Sequence, residues 1–410
     1  MADFAGTVRH WMGQRGMSVR GLARAAHYDQ GLLSKVLNGH RPYSPYLAAR
    51  LDDALGAGGE IEAAARAGPP KPPQLASSRR KPPRPVEALQ VAMSGGADSA
   101  ETMGIAADGL AELVQHYAHA VAVAPSAAVY DELVAVRSFA GMLPARSAAR
   151  HHPDLAVAAG WLSSLLAVSA TDLGDHAAAL VWCSDTERRA RDGGCPDLLG
   201  WAALTRSLIA WYQGDPVRSA GAARKGQADG QPGTAAYARL AAQEMRCAAM
   251  LGDMAEMADA RRRATDAMNA LDQFAPASGV YSIPKDGDPP YTATSLLLTW
   301  KYREAADITR RIIKTEYGSR ASADQPTAYS RTLLILALAA AGLGEADEAA
   351  AAGAEALQAG PVVWPTIVLA GKLNDSLART SAGSAHADGF RARYTDAAGR
   401  LALPAAAKQA

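Results

Sequence analysis

Hydrogen-bonding side chains gather on the outer face of a short helix that residues 30–37 are predicted to form. Apolar residues in QGLLSKVL recur at every third or fourth position, which predicts one buried face, and an Asn-Gly pair ends the helix. The other face presents an amide, a hydroxyl and an ammonium group, from Gln30, Ser34 and Lys35. Such groups form hydrogen bonds and ion pairs with a polar or anionic partner. The segment therefore has the chemistry of a binding surface.

Motifs that would indicate catalysis are missing from the sequence. It contains no G-x-S-x-G, no phosphate loop of the G-x-x-x-x-G-K-[ST] form and no H-E-x-x-H. HHPD at 151–154 has the composition of a ligand cluster, but Asp and Pro are ordinary at a helix start. Its three cysteines, Cys183, Cys195 and Cys247, have neither metal-ligand nor disulfide-framework spacing. We therefore expect no enzymatic activity, no metal and no cofactor.

Composition predicts an all-α protein. Hydrophobic residues make up 49 % of the 410 residues, much of that fraction is alanine, and aromatic residues account for only 6 %. Such a composition favours helices packed closely on helices. No uninterrupted apolar run approaches the roughly 18 residues of a membrane span, and no basic-then-apolar leader opens the chain. We expect a soluble cytoplasmic protein without a membrane partner.

Charge is distributed unevenly along the chain. Residues 1–85 carry 13 Lys or Arg and 6 Asp or Glu, whereas the remainder carries 29 Lys or Arg and 35 Asp or Glu. A basic part of this kind is typical of proteins that meet a polyanion, which the acidic part would repel.

A proline-rich stretch separates two parts of the chain. Residues 67–85 hold seven of the 23 prolines, five basic residues and no acidic one, which predicts an extended spacer. Its charge either contacts phosphates or is simply solvated. Because the pattern stays weak up to about Ser99, we predict domains at 1–66 and 100–410, joined by a linker at 67–99.

Five short helices are predicted in residues 1–66. Ser18 is a good N-cap for the second helix and Asp29 for the third. The predicted helices are 4–14, 19–26, 30–37, a fourth beginning at Ser44, and 60–66.

The segment MSVRGLARAAHYDQGLLSKVLNGHRP, residues 17–42, resembles the repressor-type helix-turn-helix DNA-binding family (Cro/C1, or xenobiotic-response-element, type). That family's pattern falls on Leu22-Ala23, Asp29, Gln30, Leu33-Ser34, Val36 and Asn38-Gly39. The resemblance implies a lambda-repressor-like domain with double-stranded DNA as its partner. An ordinary helical hairpin without a nucleic-acid role is the alternative.

The same resemblance implies which residues contact DNA. Gln30, Gly31, Ser34 and Lys35 would face the major groove, where Gln can bond to adenine and Lys can donate to guanine. Gly31 departs from the pattern, since a side chain is common at that position. The expected phosphate contacts are Ser18, Arg20, Asn38, His40 and Arg41.

Repeated turns organise the rest of the chain. They fall at Gly174, Gly214, Gly252, Trp300 and Gly344, with intervals of 40, 38, 48 and 44 residues. Each turn joins two predicted helices, which predicts an α-solenoid of helical hairpins. The segments KYREAADITRRII and GEADEAAAAGAEAL resemble the second helix of the tetratricopeptide repeat (TPR), although the intervals exceed its usual length of about 34 residues. The longest interval contains a Pro- and Gly-rich insertion, 274–291, which is either functional or a passive excursion.

This combination resembles the Rgg and PlcR type of quorum-sensing receptor and a set of actinomycete regulators. In such solenoids the first helix of each hairpin lines a concave surface, where an effector would bind. The candidate effector-binding residues are Trp161, Trp201, Trp211, Arg239, Arg246 and Arg331. Aromatic walls with convergent cations suit a peptide or a small acidic ligand, and an apolar signalling molecule or a protein is equally admissible. Alternatively, these tryptophans belong to the core and the arginines to a solvated surface.

We therefore predict an effector-responsive, homodimeric transcriptional regulator. The competing prediction is a protein-interaction adaptor, antitoxin-like or a scaffold, that uses the repeat groove and binds little DNA.

Overall fold

The computed structural model divides into two compact units, residues 1–82 and 83–410. The residues that it describes are 4–26, 28–38, 45–66, 84–93, 100–143, 153–271, 279–283, 287–318, 324–380 and 384–401. Within these residues the secondary structure is helical, with no strand, as the composition predicts.

The described part of the first unit contains five helices, in the order predicted from the sequence. They are α1 (Phe4–Gln14), α2 (Val19–Ala25), α3 (Gln30–Leu37), α4 (Pro45–Leu55) and α5 (Glu60–Arg66). Their apolar faces meet in one core, in which Leu22, Leu33 and Leu51 are wholly buried. Burial of a leucine side chain stabilises a fold by about 1.5–3 kcal/mol, so this core orders the short helices.

Side-chain caps fix the helix ends in this unit. The Ser18 hydroxyl accepts the amide of Gly21 at the start of α2. The buried Asp52 carboxylate accepts the amides of Gly59 (2.7 Å) and Ile61 (2.8 Å), so it holds α4 against α5. These bonds satisfy amides that a helix start otherwise leaves without partners.

The segment after the proline-rich stretch differs from the predicted linker. Residues 67–83 and 94–99 lie outside the described part of the chain, but between them Pro85–Met93 forms α6. Val86, Leu89 and Met93 are buried in the core of the second unit. The spacer therefore does not run uninterrupted to Ser99, because these three apolar side chains dock α6 on the following helix, Ala100–Val123.

The second unit is a series of helical hairpins. Its remaining helices are α7 (Ala100–Val123), α8 (Ser126–Met142), α9 (Pro153–Asp172), α10 (His176–Gly193), α11 (Pro196–Tyr212), α12 (Pro216–Asp229), α13 (Ala235–Leu251), α14 (Met254–Asn269), α15 (Thr292–Leu298), α16 (Tyr302–Glu316), α17 (Pro326–Leu343), α18 (Ala346–Ala356), α19 (Trp364–Thr380) and α20 (Ala385–Arg400).

Hairpins stack through their first helices, which form an inner row. Helix α9 contacts α11, α11 contacts α13, and α17 contacts α19. The row also curves back on itself, because α17 contacts α7 and the Thr327 hydroxyl donates to the carbonyl of Ala122 (3.2 Å). This packing is an α-solenoid, and its curvature encloses space between the inner helices.

The turns within the hairpins need left-handed backbone. Gly174, Gly214, Gly252 and Gly344 have φ between 76° and 83°, the region in which a Cβ is strained. Trp300, at the turn without a glycine, has a φ of 58° and is 79 % exposed. The hairpin of α15 and α16 therefore keeps the turn geometry of its neighbours without the residue that favours it.

Replacing Gly252 tests this requirement. A Cβ at Gly252 would meet no atom within 4 Å, so Gly252→Ala introduces backbone strain alone. We expect the free energy of unfolding to fall by about 1–2 kcal/mol, measured by urea denaturation. Gly221, in the middle of α12, also has open space around it, but its φ is not positive. Gly221→Ala should therefore raise stability by about 0.5–1 kcal/mol, and a loss at both positions would contradict the turn argument.

In the part of the chain that the structure describes, two helices are long and apolar enough to cross a membrane by length and composition, Pro153–Asp172 and Pro326–Leu343. Of their apolar windows, 72 % and 56 % are buried inside the protein. Both belong to the inner row, and contacts with neighbouring helices explain their composition.

Candidate functional site

Helix α3 presents two contrasting faces. Leu33, Val36 and Leu37 are buried beneath it. On the opposite side Gln30, Gly31 and Lys35 are exposed and Ser34 is half-buried. The apolar underside holds the helix on its domain, and the polar side faces outward with its donors available.

Both ends of α3 are held by side chains. The Asp29 carboxylate accepts the amide of Leu32 (2.8 Å) at the N-terminus. At the C-terminus, Arg9 donates to the Leu37 carbonyl (2.7 Å) and to the Asn38 side-chain oxygen (3.1 Å). Because α1 supplies Arg9, the helix is fixed at its far end as well as through its underside.

A short turn connects α3 to α2. The Tyr28 amide donates to the Ala23 carbonyl (2.8 Å), which closes α2, and Asp29 then begins α3. The two helices contact each other directly. This arrangement, a supporting helix, a tight turn and a short outward-facing helix, is the geometry that places side chains in a DNA major groove.

Comparison with known families agrees with this geometry. A family model described as a helix-turn-helix domain matches residues 3–65. Residues 3–65 are a helix-turn-helix domain. No curated protein matches the chain, and no solved structure matches it. The match covers 63 of the 410 residues and, together with the geometry of α2 and α3, supports DNA as the partner of this unit and a DNA-binding regulator as the class of protein.

The helix-turn-helix domain carries most of the predicted DNA contacts on its surface. Ser18, Arg20 and Asn38 are exposed, in addition to the residues of α3. The Ser18 and Asn38 oxygens already accept hydrogen bonds from Gly21 and Arg9, so only their donor groups remain for a phosphate. His40 and Arg41 lie outside the described residues.

A cavity of about 380 Å³, the larger cavity, lies between the inner helices of the second unit. Trp211, Tyr212, Tyr291 and Tyr317 contribute aromatic surface, and Arg239, Arg246, Arg311 and Arg331 contribute cations. Asp288 and Glu316 are the carboxylates among its described lining residues. A volume of this size is within the range of pockets that hold small organic molecules, about 300–1,000 Å³.

A smaller cavity of about 190 Å³ shares part of this wall. Tyr212, Arg239 and Arg331 line both cavities, and Trp201 and Asp172 line the smaller one. Burial raises the pKa of Asp172 to about 6, against a smaller lowering by Arg331. The Asp172 carboxyl thus titrates close to neutrality within the wall of the smaller cavity.

The six candidate effector residues are distributed over these two cavities. Trp211, Arg239, Arg246 and Arg331 line the larger cavity, and Trp201 lines the smaller one. Trp161 is not on either wall; its ring packs against Tyr281, with the ring centres 4.8 Å apart. Tyr281 also packs against Trp201 (4.7 Å), so a residue of the insertion covers this pair of tryptophans.

The insertion 274–291 enters the space between the inner helices. Its described residues 279–282 line the smaller cavity, residues 287–291 line the larger one, and Tyr291 lines both. The Val280 amide donates to the Ala118 carbonyl (3.0 Å), and Arg239 donates to the carbonyl of Ser282. These contacts hold the described part of the insertion against the inner helices, and a functional role for it stays a prediction.

Several residues that line the larger cavity are not indicated by any pattern in the sequence. Tyr291 belongs to the insertion, while Arg311 and Tyr317 lie in or just after α16, the second helix of its hairpin. The sequence pattern points only to the first helix of each hairpin. Tyr212 directly follows Trp211 in α11, which is a first helix. Of these lining residues, Tyr212 is the one that the sequence pattern could have indicated.

The pKa of Asp172 gives a pH-dependent prediction. A carboxyl whose pKa is higher in the folded than in the unfolded state binds more protons when folded, so stability falls as pH rises through that interval. Asp172→Asn should therefore change little at pH 4 and stabilise the second unit above about pH 6.5, by about 2–3 kcal/mol. Urea midpoints at three pH values measure this, and Asp131→Asn, at an exposed site, is the matched control. A gain that is equal at every pH would rule out the titration of Asp172 as its source.

Proposed function

We propose that this protein is a sequence-specific transcriptional regulator in which the helix-turn-helix domain reads an operator and the second unit binds an effector. The observation that carries the first part is the outward face of α3, where Gln30 and Lys35 are exposed on a helix held at both ends. A rigid support is what base readout requires, because bidentate contacts tolerate little displacement. A regulator of this kind works in the cytoplasm, where the DNA is.

The regulator acts as a homodimer in this proposal. One α3 reaches only a few base edges, so a single copy discriminates weakly between sequences. Two copies that bind half-sites about 34–36 Å apart double the readout. The second unit, which is by far the larger, is the part that would hold the two copies together.

The larger cavity is the proposed effector site. It combines aromatic walls with cationic groups in an enclosed space, the features that bury and orient a small molecule. The inner helices that surround it belong to successive hairpins. A ligand that binds one arrangement of these hairpins more tightly shifts the population toward that arrangement and so alters the dimer.

Selection of DNA from a random pool with the full-length protein tests this proposal. We expect one enriched motif with inverted half-sites about one helical turn apart. Binding to that motif should weaken steeply with salt while its preference over scrambled DNA persists. Light scattering of the free protein should give the mass of two chains. An unenriched pool, or binding without sequence preference, would contradict the proposal.

A protein-interaction adaptor is the second candidate. Leu251 and Met254, which flank one hairpin turn, are 51 % and 48 % exposed, and Trp300 at the next turn is 79 % exposed. Apolar side chains on a surface favour contact with another protein. The adaptor is favoured by two results together. The DNA pool shows no enrichment, and a defined protein co-purifies with the wild type but not with the Trp300→Ser variant.

A further inference from the structure

The Arg246 guanidinium is an unusual group in the wall of the larger cavity. Arg246 is only 2 % exposed. Its guanidinium carbon lies 3.8 Å from the centre of the Trp211 ring and 4.0 Å from the centre of the Tyr291 ring. Both distances are short enough for cation–π attraction. The rings cover the planar surface of the guanidinium, so its edge is the part that can still donate to a ligand.

A chain of buried polar groups positions this guanidinium. Arg246 donates through Nη2 to the side-chain oxygen of Gln243, and Gln243 donates to the Ser219 hydroxyl (2.9 Å). Ser219 in turn exchanges hydrogen bonds with Ser207 across α11 and α12. The Arg246 Nε is buried and has no hydrogen-bond partner among the described residues. The side chain is therefore fixed in place with donor capacity left over.

Among the described residues, no neighbouring carboxylate balances the charge of Arg246. No ion pair joins it to an Asp or Glu within the described part of the chain. Asp288, a carboxylate of the cavity wall, pairs instead with Arg261 and Arg311. A second cation is near, since the Lys372 ammonium lies 5.1 Å from the centre of the Trp211 ring. Burial, together with the charge of Arg246, lowers the pKa of Lys372.

Burying an unpaired cation costs free energy of folding, and an anion that pairs with the cation usually offsets this cost. The described part of the lining points the same way, because four arginines outnumber two carboxylates among its residues. An acidic ligand would supply the missing counter-charge and accept the free N–H groups. Charge-assisted hydrogen bonds of this kind are about twice as strong as neutral ones.

The shape of the space favours a compact ligand over a peptide. The insertion residue Tyr281 occupies the region between Trp161 and Trp201, and the carbonyl of Ser282 accepts from Arg239. Backbone of the chain itself thus fills part of the groove along which an extended peptide would lie. What remains beside Arg246 is an enclosed volume with Trp211, Tyr212, Tyr291 and Tyr317 around it.

We propose that the larger cavity binds a small aromatic carboxylate whose carboxylate group meets the edge of Arg246 and whose ring packs on the surrounding aromatic residues. This inference rests on the proposed function, because it names the chemical class of the effector. It assigns to Arg246 the role of specificity-determining residue in the second unit.

Two matched probes, 2-naphthoate and 2-naphthamide, test the proposal by calorimetric titration of the full-length protein at pH 7.5. They share a ring system and differ in charge. We expect the carboxylate to bind about 10- to 100-fold more tightly than the amide, the range expected for hydrogen bonds to a charged group. Quenching of tryptophan fluorescence should accompany binding, since Trp211 forms the wall beside Arg246.

Arg246→Gln keeps a hydrogen-bonding side chain but removes the charge. It should weaken 2-naphthoate binding by at least about tenfold and leave the amide unchanged. Arg303→Gln, at an exposed position of α16, is the control and should bind both probes as the wild type does. Circular dichroism checks that both variants keep their helices. Equal affinities for the two probes, no binding of either, or unchanged naphthoate binding by Arg246→Gln would overturn the proposal.

Operator binding by the same preparations separates this inference from the proposed function. If the selected operator binds normally but naphthoate shows no charge preference, the ligand class is wrong and the regulator stands. If the operator does not bind, the proposed function fails whatever the probes do.

Discussion

Leu33→Ala is expected to unfold the helix-turn-helix domain and to abolish binding to any operator. Leu33 is wholly buried under α3, and truncation of such a leucine costs about 2–5 kcal/mol. A domain of about 60 residues has a stability near the lower end of the usual 5–15 kcal/mol, so this loss removes most of it. The second unit has its own core and should keep its helices.

Calorimetry of the full-length variant would show this as loss of one unfolding transition with the other retained. The neighbouring Leu32 provides a matched control, since it is only half-buried. Leu32→Ala should cost clearly less and preserve DNA binding. If Leu33→Ala bound its operator with wild-type affinity, the packing that holds α3 outward would be wrong.

Gln30→Ala combined with Lys35→Ala is expected to remove sequence preference while leaving the fold intact. Both side chains are exposed, so no core contact is lost. Each base contact is worth about 1–3 kcal/mol of discrimination, so operator affinity should fall about 100-fold or more for the pair. Non-specific DNA should lose only about two- to threefold, from the single positive charge of Lys35.

Parallel titrations of the operator and of scrambled DNA at one salt concentration measure this difference. Arg66→Ala is the control, because Arg66 is exposed on α5 and pairs with Glu62 (3.0 Å). It removes one charge without touching α3. Equal losses on both DNAs would mean that α3 contributes charge but does not read bases.

The helix-turn-helix domain was accessible to sequence reasoning because its signals are local. The periodicity of Leu33, Val36 and Leu37, and the caps Ser18 and Asp29, act within a few residues of the helices that they define. Helix α3 begins and ends where the sequence predicts. In contrast, Arg9 bonds to Leu37 and Asn38 at the end of α3, which lie 28 and 29 positions later in the chain. No local pattern indicates these two bonds.

The sequence predicts the residues of the cavities only in part, because many of the contacts that form the cavities are not local. The rule that the first helix of each hairpin lines the concave surface identifies the inner helices, and four of the six residues chosen with it lie on the larger cavity. The path of the insertion depends on tertiary contacts, such as that of Tyr281 with Trp161, which hydrophobic periodicity does not encode. Helix α6 was missed although Val86, Leu89 and Met93 have helical spacing, because prolines and short length obscured it.

Site-directed DNA cleavage from α3 tests the central claim most directly. Gly31→Cys places a thiol on the exposed face of α3, and Ala63→Cys places one on the exposed face of α5. Cys183 and Cys247 are buried and burial raises the pKa of both thiols, so replacing Cys195 leaves one reactive position. An iron chelate attached at position 31 should cut the selected operator within its half-sites, and the same reagent at position 63 should leave it uncut. Cleavage from position 63 but not from position 31 would contradict the assignment of α3 as the DNA-reading helix.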